Sequence, residues 1–212
     1  MTWMPRRSFT RRSGYRDSRL IVIASEGTNT EPAYFEALRD YLLASPSRVH
    51  VEVLRRDSGS PSAPEYVIEQ LDSFKRDWKL SSHDELWAVI DYDRWGEAKL
   101  STVATAAVQK GYHLAVSRPC FEVWRLLHFE DLSQLPEDDR AALDRGKCAA
   151  ITSRVRQLCG ACGKNMGDVQ EYLPLTELAV GRAMLLAEGN RDRWPNALGT
   201  FMHMLIQSIR GL

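Results

Sequence analysis

Three carboxylates stand where an α/β sheet could use them. Glu26 follows the apolar run Leu20-Ile21-Val22-Ile23-Ala24-Ser25, and Asp91 and Asp93 follow Leu86-Trp87-Ala88-Val89-Ile90. Ligands of open parallel sheets gather beyond the carboxyl ends of the strands, so acids placed there converge on one crevice if their strands are neighbours. Asp91 and Asp93, two apart in extended backbone, would point to the same side. Crowded carboxylates repel one another, and such a cluster calls for a cation. Oxygen-only ligands suit Mg²⁺ or Mn²⁺, with water completing the octahedron and a phosphate as the natural further ligand. The plainer alternative is that acids end strands because loops are solvated.

The elements that must carry these acids are written in the hydrophobic pattern. Arg19 to Ser25 is a short β-branched run that suits a strand buried on both faces. Thr28 and Glu31 have capping-box spacing ahead of a helix, and Pro32 is tolerated in a first turn. Tyr34, Phe35, Leu38, Tyr41 and Leu42 line one face of that helix, which Pro46 would end. Val49 to Leu54 reads as a second strand. Ser62 and Glu65 offer another capping box before the face Val67, Leu71, Phe74 and Trp78. A third strand, 86–90, leads into an Ala-rich helix over 96–110 that Gly111 stops. His113 to Ser117 is a fourth strand, and Pro119 to Phe129 resumes as helix.

Strict alternation of strand and helix implies right-handed crossovers and a parallel sheet covered on both faces. After residue 130 no comparable strand run occurs, and the pattern reads as mostly helical. The expected fold is α/β: a parallel sheet of about four strands flanked by helices, with a mainly helical C-terminal extension. The expected boundaries are a basic arm over 1–17, the α/β core over 18–130 and the extension over 131–212.

The segment after the fourth strand holds further candidates. Phe121, Trp124, Leu127 and His128 share helical spacing, which makes the aromatics core and gives His128 a buried hydrogen bond rather than a metal. Glu122 and Arg125 fall on another face. Glu122, in the first turn beside the crevice, could be another ligand, could orient Arg118, or could form a local ion pair. Arg118 could instead neutralise phosphate charge through its bidentate guanidinium.

Composition narrows the classes. The 212 residues are 44% hydrophobic and 26% charged, which argues against wholesale disorder. Lys and Arg (28) balance Asp and Glu (28), so the chain lacks the overall basic charge of the simplest nucleic-acid binders. The balance hides an asymmetry: residues 1–19 carry net +5 and residues 130–144 net −5, which could steer a polyanion to one side. No apolar run is long enough to span a bilayer, and the N-terminus lacks a secretory apolar stretch, so a cytoplasmic protein is expected. The four cysteines, at 120, 148, 159 and 162, are too few and too bunched for a disulfide framework. Cys159 and Cys162 form half of a zinc motif without an evident second half. No P-loop, dinucleotide fingerprint, GxSxG elbow or HExxH is present.

Longer motifs carry a resemblance. Glu26-Gly27 after the first strand and the Asp-x-Asp of 91–93 after the third resemble the signature of Toprim domains, the phosphoryl-transfer fold of topoisomerases, primases and related nucleases. Ile23 to Pro32 (IASEGTNTEP) resembles the opening motif of the RloB-like family, and Ser117 to Phe129 (SRPCFEVWRLLHF) its central motif. Asn196 to Thr200, with His203, is similar to a drifted form of its closing motif. The resemblance spans about residues 18–210.

It implies a Toprim-like core in prokaryotic defence loci, often beside an ATPase partner, with Mg²⁺- or Mn²⁺-dependent nuclease activity on DNA or RNA. Carried over residue by residue, it makes Glu26 a general acid/base or metal ligand. Asp91 and Asp93 become Mg²⁺ ligands, and Glu31 a further metal-binding acid. Tyr92 between the aspartates and Arg118 in place of an Asn depart from the pattern and alter the substrate environment. Two other readings use the same residues: a non-catalytic Toprim-like subunit docking on an ATPase, and a small-molecule phosphotransferase or nucleotide hydrolase with a closed pocket. Self-association is left open, and no membrane role is expected.

Overall fold

The computed structural model describes residues 7–8, 18–43, 49–56, 63–93, 95–159 and 169–211. Most of the basic arm, and also Pro46, Ser62 and Cys162, therefore lie outside the described residues.

The expected strands form. β1 (Arg19–Ser25), β2 (Val49–Leu54), β3 (Glu85–Asp91) and β4 (His113–Arg118) are joined by α1 (Thr30–Leu43), α2 (Pro64–Asp77) and α3 (Gly96–Lys110). The C-terminal half supplies α4 (Glu122–Phe129), α5 (Glu137–Arg145), α6 (Lys147–Cys159), the short α7 (Val169–Tyr172), α8 (Thr176–Ala187) and α9 (Met202–Arg210). It also supplies a fifth strand, β5 (Gly199–Thr200). The sheet order is β2-β1-β3-β4-β5. The first four strands are parallel, and β5 runs antiparallel to β4 through Ser117–Thr200 and Arg118–Gly199. Outside this sheet, Arg7–Ser8 pairs in parallel with Trp78–Lys79.

Burial follows the period of two that a sheet covered on both faces requires. Ile21, Ile23, Val51, Val53, Trp87, Val89 and Ala115 pack with α1, α4, α6, α8 and α9 on one face. Leu20, Val22, Ala24, Leu86, Ala88, Ile90 and Val116 pack with α2 and α3 on the other. At roughly 1.5–3 kcal/mol for each large apolar side chain fully buried, these two layers dominate the stability of the sheet. α3 stops where the sequence says it should, with Gly111 in the left-handed region at φ 73°.

An aromatic cluster sets the helices that border the site. Tyr34 of α1 lies edge-on to Phe121 at 5.6 Å and to Trp124 of α4 at 6.3 Å, and it stacks on Tyr172 at 6.2 Å. This packing fixes the starts of α1 and α4 relative to each other, and with them Glu31 and Glu122. Among the described residues no helix is long and apolar enough to cross a membrane.

Candidate functional site

In the order β2-β1-β3-β4-β5, the chain leaves β1 and β3 toward opposite sides of the sheet, which opens a crevice at their carboxyl ends. Glu26 follows β1 directly, and its N–H donates to the Val89 carbonyl at 3.0 Å, extending the ladder by one residue. Asp91 closes β3. Glu31 stands in the first turn of α1 and Glu122 in the first turn of α4. Glu26, Glu31, Asp91 and Glu122 line one cleft of about 220 Å³ with Gly27, Thr28, Asn29, Thr30 and Cys148.

Backbone and indole N–H groups aim these acids. Glu26 accepts from Trp95 Nε1 at 2.9 Å and from the Asp91 N–H at 3.4 Å. Asp91 Oδ1 accepts from the Phe121 N–H at 2.8 Å, at the entry to α4. Among the described residues Glu31, Asp91 and Glu122 form no ion pair with Lys or Arg. Burial and mutual repulsion act on two of them instead. Burial, reinforced by Glu122 and Glu26, pushes the Glu31 carboxyl up to about 7. Burial, with Glu31, Glu26 and Glu122 around it, holds Asp91 well above the usual carboxylate range.

The expected capping box does not form, although the Glu31 carboxylate accepts from the backbone N–H groups of Glu31 and Gly27 at the start of α1. The helix begins at Thr30, so Thr28 and Glu31 do not occupy the cap and third positions that a capping box needs. The Glu31 carboxylate lies over Gly27, where a Cβ would collide with it. Gly27 is thus the residue that lets a fourth acid reach the cleft.

The structure brings four of the candidate acids together and leaves one apart. Asp93 does not line the cleft. Strand alternation ends at Asp91, and the chain bends at Tyr92, whose N–H donates to the Ser117 carbonyl at 2.9 Å, while Asp93 N–H donates to Pro119 O at 3.1 Å. The rule that residues two apart share a side requires extended backbone, which stops one residue too soon.

Arg118 faces a neighbouring cavity of about 440 Å³, lined also by Tyr92, Glu97, Arg191, Asp192, Arg193, Trp194 and Asn196. Its guanidinium pairs with Asp144 at 3.2 Å, donates to the Asn196 carbonyl at 2.6 Å and covers the Tyr92 ring at 4.6 Å. His128 is a buried hydrogen-bonding group: Nδ1 meets the Trp124 carbonyl at 2.9 Å and Nε2 the Tyr34 hydroxyl at 3.4 Å. Burial lowers its pKa to about 4.

The cysteines behave differently from the expectation. Cys120 and Cys148 form a disulfide, because α6 begins against the entry of α4 although 28 residues separate the pair. Neither Cys148 nor Trp95 carries a local sequence signal that places it at the cleft; each arrives there by tertiary packing.

The acids are oxygen donors of the kind a hard divalent ion takes, but among the described residues no three of them bring ligand atoms within 4.8 Å of one another. Mg²⁺ keeps several waters and needs only one or two carboxylates beside a phosphate. The four acids line a cleft of about 220 Å³ at the end of a parallel sheet, room for an ion that keeps its waters, and burial raises the carboxyls of Glu31 and Asp91. What fold and cleft define together is an α/β protein with an acidic crevice at the switch point of its sheet. The family model described as RloB-like protein matches residues 21–209, and the chain belongs to the RloB-like family. No curated protein and no solved structure matches it.

Proposed function

We propose that this chain is a Mg²⁺- or Mn²⁺-dependent phosphodiesterase of Toprim type that cuts DNA or RNA in bacterial antiphage defence, working with an ATPase partner. The observation that carries the reading is the gathering of Glu26, Glu31, Asp91 and Glu122 on one cleft at the sheet's switch point. These acids would hold the ion. Once bound, it would supply Lewis-acid polarisation of a phosphate and an acidified water.

The chain's own groups have separable tasks. Glu26, held by the Trp95 indole and the Asp91 N–H, is placed to move a proton as general acid or base. Asp91 is kept in place by the Phe121 N–H. The basic cavity next door, with Arg118, Arg191 and Arg193, offers guanidinium groups to the phosphates flanking the reacting one. Asp93 stands outside this set and would act in the outer environment of the cleft.

The test is cleavage of single- and double-stranded DNA and RNA by the purified chain with Mg²⁺, alone and with the proposed ATPase partner. Activity that needs Mg²⁺ and disappears in Asp91→Asn supports the reading. Cleavage unaffected by that substitution refutes it.

A second reading, an interaction subunit that docks on an ATPase, is favoured by the exposed apolar side chains of the C-terminal helices. Leu175, Leu178, Met184 and Leu185, on and just before α8, and Met204 of α9 are each more than one-third exposed. Defence that survives Glu26→Gln but fails when Leu178 and Leu185 become Lys would select it.

A further inference from the structure

Among the described residues, one group of three metal-capable side chains has donor atoms all within 4.8 Å of one another, and it is not made of oxygens alone: Cys120, Glu122 and Cys148. Cys120 is fully buried at the entry of α4, while Cys148 is partly exposed in the first turn of α6 and lines the acidic cleft. A Glu122 oxygen lies 3.2 Å from Cys148 Sγ. A disulfide sulfur has no proton to donate, so this close approach of a carboxylate is not a hydrogen bond in the oxidised chain. It becomes one when Cys148 is a thiol, and it becomes a shared ligand edge when a cation sits between sulfur and oxygen. Zinc bonds of about 2.3 Å to sulfur and about 2.0–2.2 Å to oxygen place neighbouring donors roughly 3.5–4 Å apart; the sulfur–oxygen pair at 3.2 Å is close to that spacing, and the two bonded sulfurs reach it once the disulfide opens.

We propose that Cys120, Cys148 and Glu122 form a redox-gated site for a borderline divalent ion such as Zn²⁺, distinct in chemistry from the oxygen-only cleft beside it. With the disulfide closed, the cysteines offer no thiolate and the wall of the cleft binds only hard ions. Reduction opens the site. A dithiol reductant attacks Cys148 Sγ, the sulfur that faces the cleft, and forms a mixed disulfide while Cys120 Sγ leaves as a thiolate. The second thiol of the reductant then releases Cys148, so the reductant becomes a disulfide and the chain gains two electrons and two protons. A divalent ion displaces the thiol protons and takes both sulfurs and Glu122, with its remaining position toward the cleft. The site does not depend on phosphodiesterase activity.

The experiment uses the full chain carrying Cys159→Ser and Cys162→Ser, so that no other thiols contribute, with Co²⁺ as the probe. In the reduced chain Co²⁺ should produce stoichiometric thiolate-to-metal charge-transfer absorption that Zn²⁺ abolishes. Oxidation with diamide should remove the band, and so should Cys148→Ser. Mn²⁺ binding to the same Cys148→Ser chain should persist, which shows that the acids remain assembled. Absence of the band in the reduced chain, or its survival in Cys148→Ser or after diamide, overturns the proposal. Loss of Mn²⁺ binding with the Co²⁺ band intact would instead sink the oxygen-cleft reading and leave this site standing.

Discussion

The carboxylate of Glu26 accepts a hydrogen bond from the backbone N–H of Asp91 at 3.4 Å, across 65 residues of sequence. β1 and β3 are adjacent in the sheet, so the acid that ends one strand is steered by the backbone that ends the other. The same N–H that orients Glu26 belongs to a residue whose own carboxylate is aimed by the Phe121 N–H at 2.8 Å. Backbone N–H groups thus aim both acids, with the Trp95 indole as a second donor to Glu26.

Asp91→Asn keeps the shape and an oxygen able to accept from Phe121 N–H. It should weaken Mn²⁺ binding by about tenfold or more, ~1.4 kcal/mol, because the amide cannot become the anionic ligand a bound cation draws from the carboxyl, and should leave the melting temperature in chelator close to wild type, since burial already disfavours charge at this position. Calorimetric Mn²⁺ titration and thermal unfolding in EDTA measure the two effects, and unchanged Mn²⁺ affinity would remove the site from consideration.

Stability should respond to pH with two opposing slopes. Glu31, raised from 4.5 to about 7, keeps a proton in the folded state that the unfolded chain releases, so its contribution falls as pH rises from 4.5 to 7. His128, lowered from 6.5 to about 4, stays neutral in the fold while the unfolded chain takes up a proton. Its contribution therefore falls as pH drops from 6.5 to 4. Glu31→Gln should remove its share of the first slope, which Asp91 with its own raised carboxyl also carries, and stabilise the metal-free chain above pH 7 by on the order of 2 kcal/mol. Urea unfolding across this range decides it; a profile identical to wild type contradicts the assignment of Glu31.

Gly27 should tolerate no side chain without cost to the cleft. In Gly27→Ala the added methyl meets the Glu31 carboxylate, which must swing away. The expected result is weaker Mn²⁺ binding with a stability change of about 1–3 kcal/mol. The double variant Gly27→Ala/Glu31→Gln should bind Mn²⁺ no more weakly than Glu31→Gln alone, since the two changes act on one carboxylate.

The pair Arg118–Asp144 should act as a brake on anion binding. Asp144→Asn releases the guanidinium and should strengthen binding of a short single-stranded oligonucleotide, while Arg118→Ala should weaken it. Each lost phosphate contact should lower the salt dependence of affinity by about one. Fluorescence anisotropy over a salt series reads both, and equal slopes in Arg118→Ala and wild type would place the nucleic acid elsewhere.

Particular residues show why part of this was readable in advance and part was not. Strand runs such as Leu20–Ala24 and Leu86–Ile90 announce themselves because a strand covered on both faces needs an unbroken apolar run, and acids at their ends mark the carboxyl edge of the sheet. Thr28 and Glu31 matched a capping box only in spacing; the preferred use of Glu31 is decided by Gly27 and the cleft, which are not local to the cap. Asp93 looked equivalent to Asp91 until the chain bent at Tyr92. β5 carries no such mark in the sequence, because its two residues are too short to hold a period and pair only with an edge already built.

The amino-acid order alone determined the alternation of strands and helices, the placement of Glu26 and Asp91 at strand ends, and the kinship carried by the motifs, because each is a pattern within a few consecutive residues. Only the tertiary structure decided that Glu31 and Glu122 join those acids, that Arg118 is held by Asp144, and that Cys120 meets Cys148 at the cleft wall. Those meetings depend on which strands become neighbours and how α4 and α6 pack, and such long-range contacts leave no periodic trace in the chain.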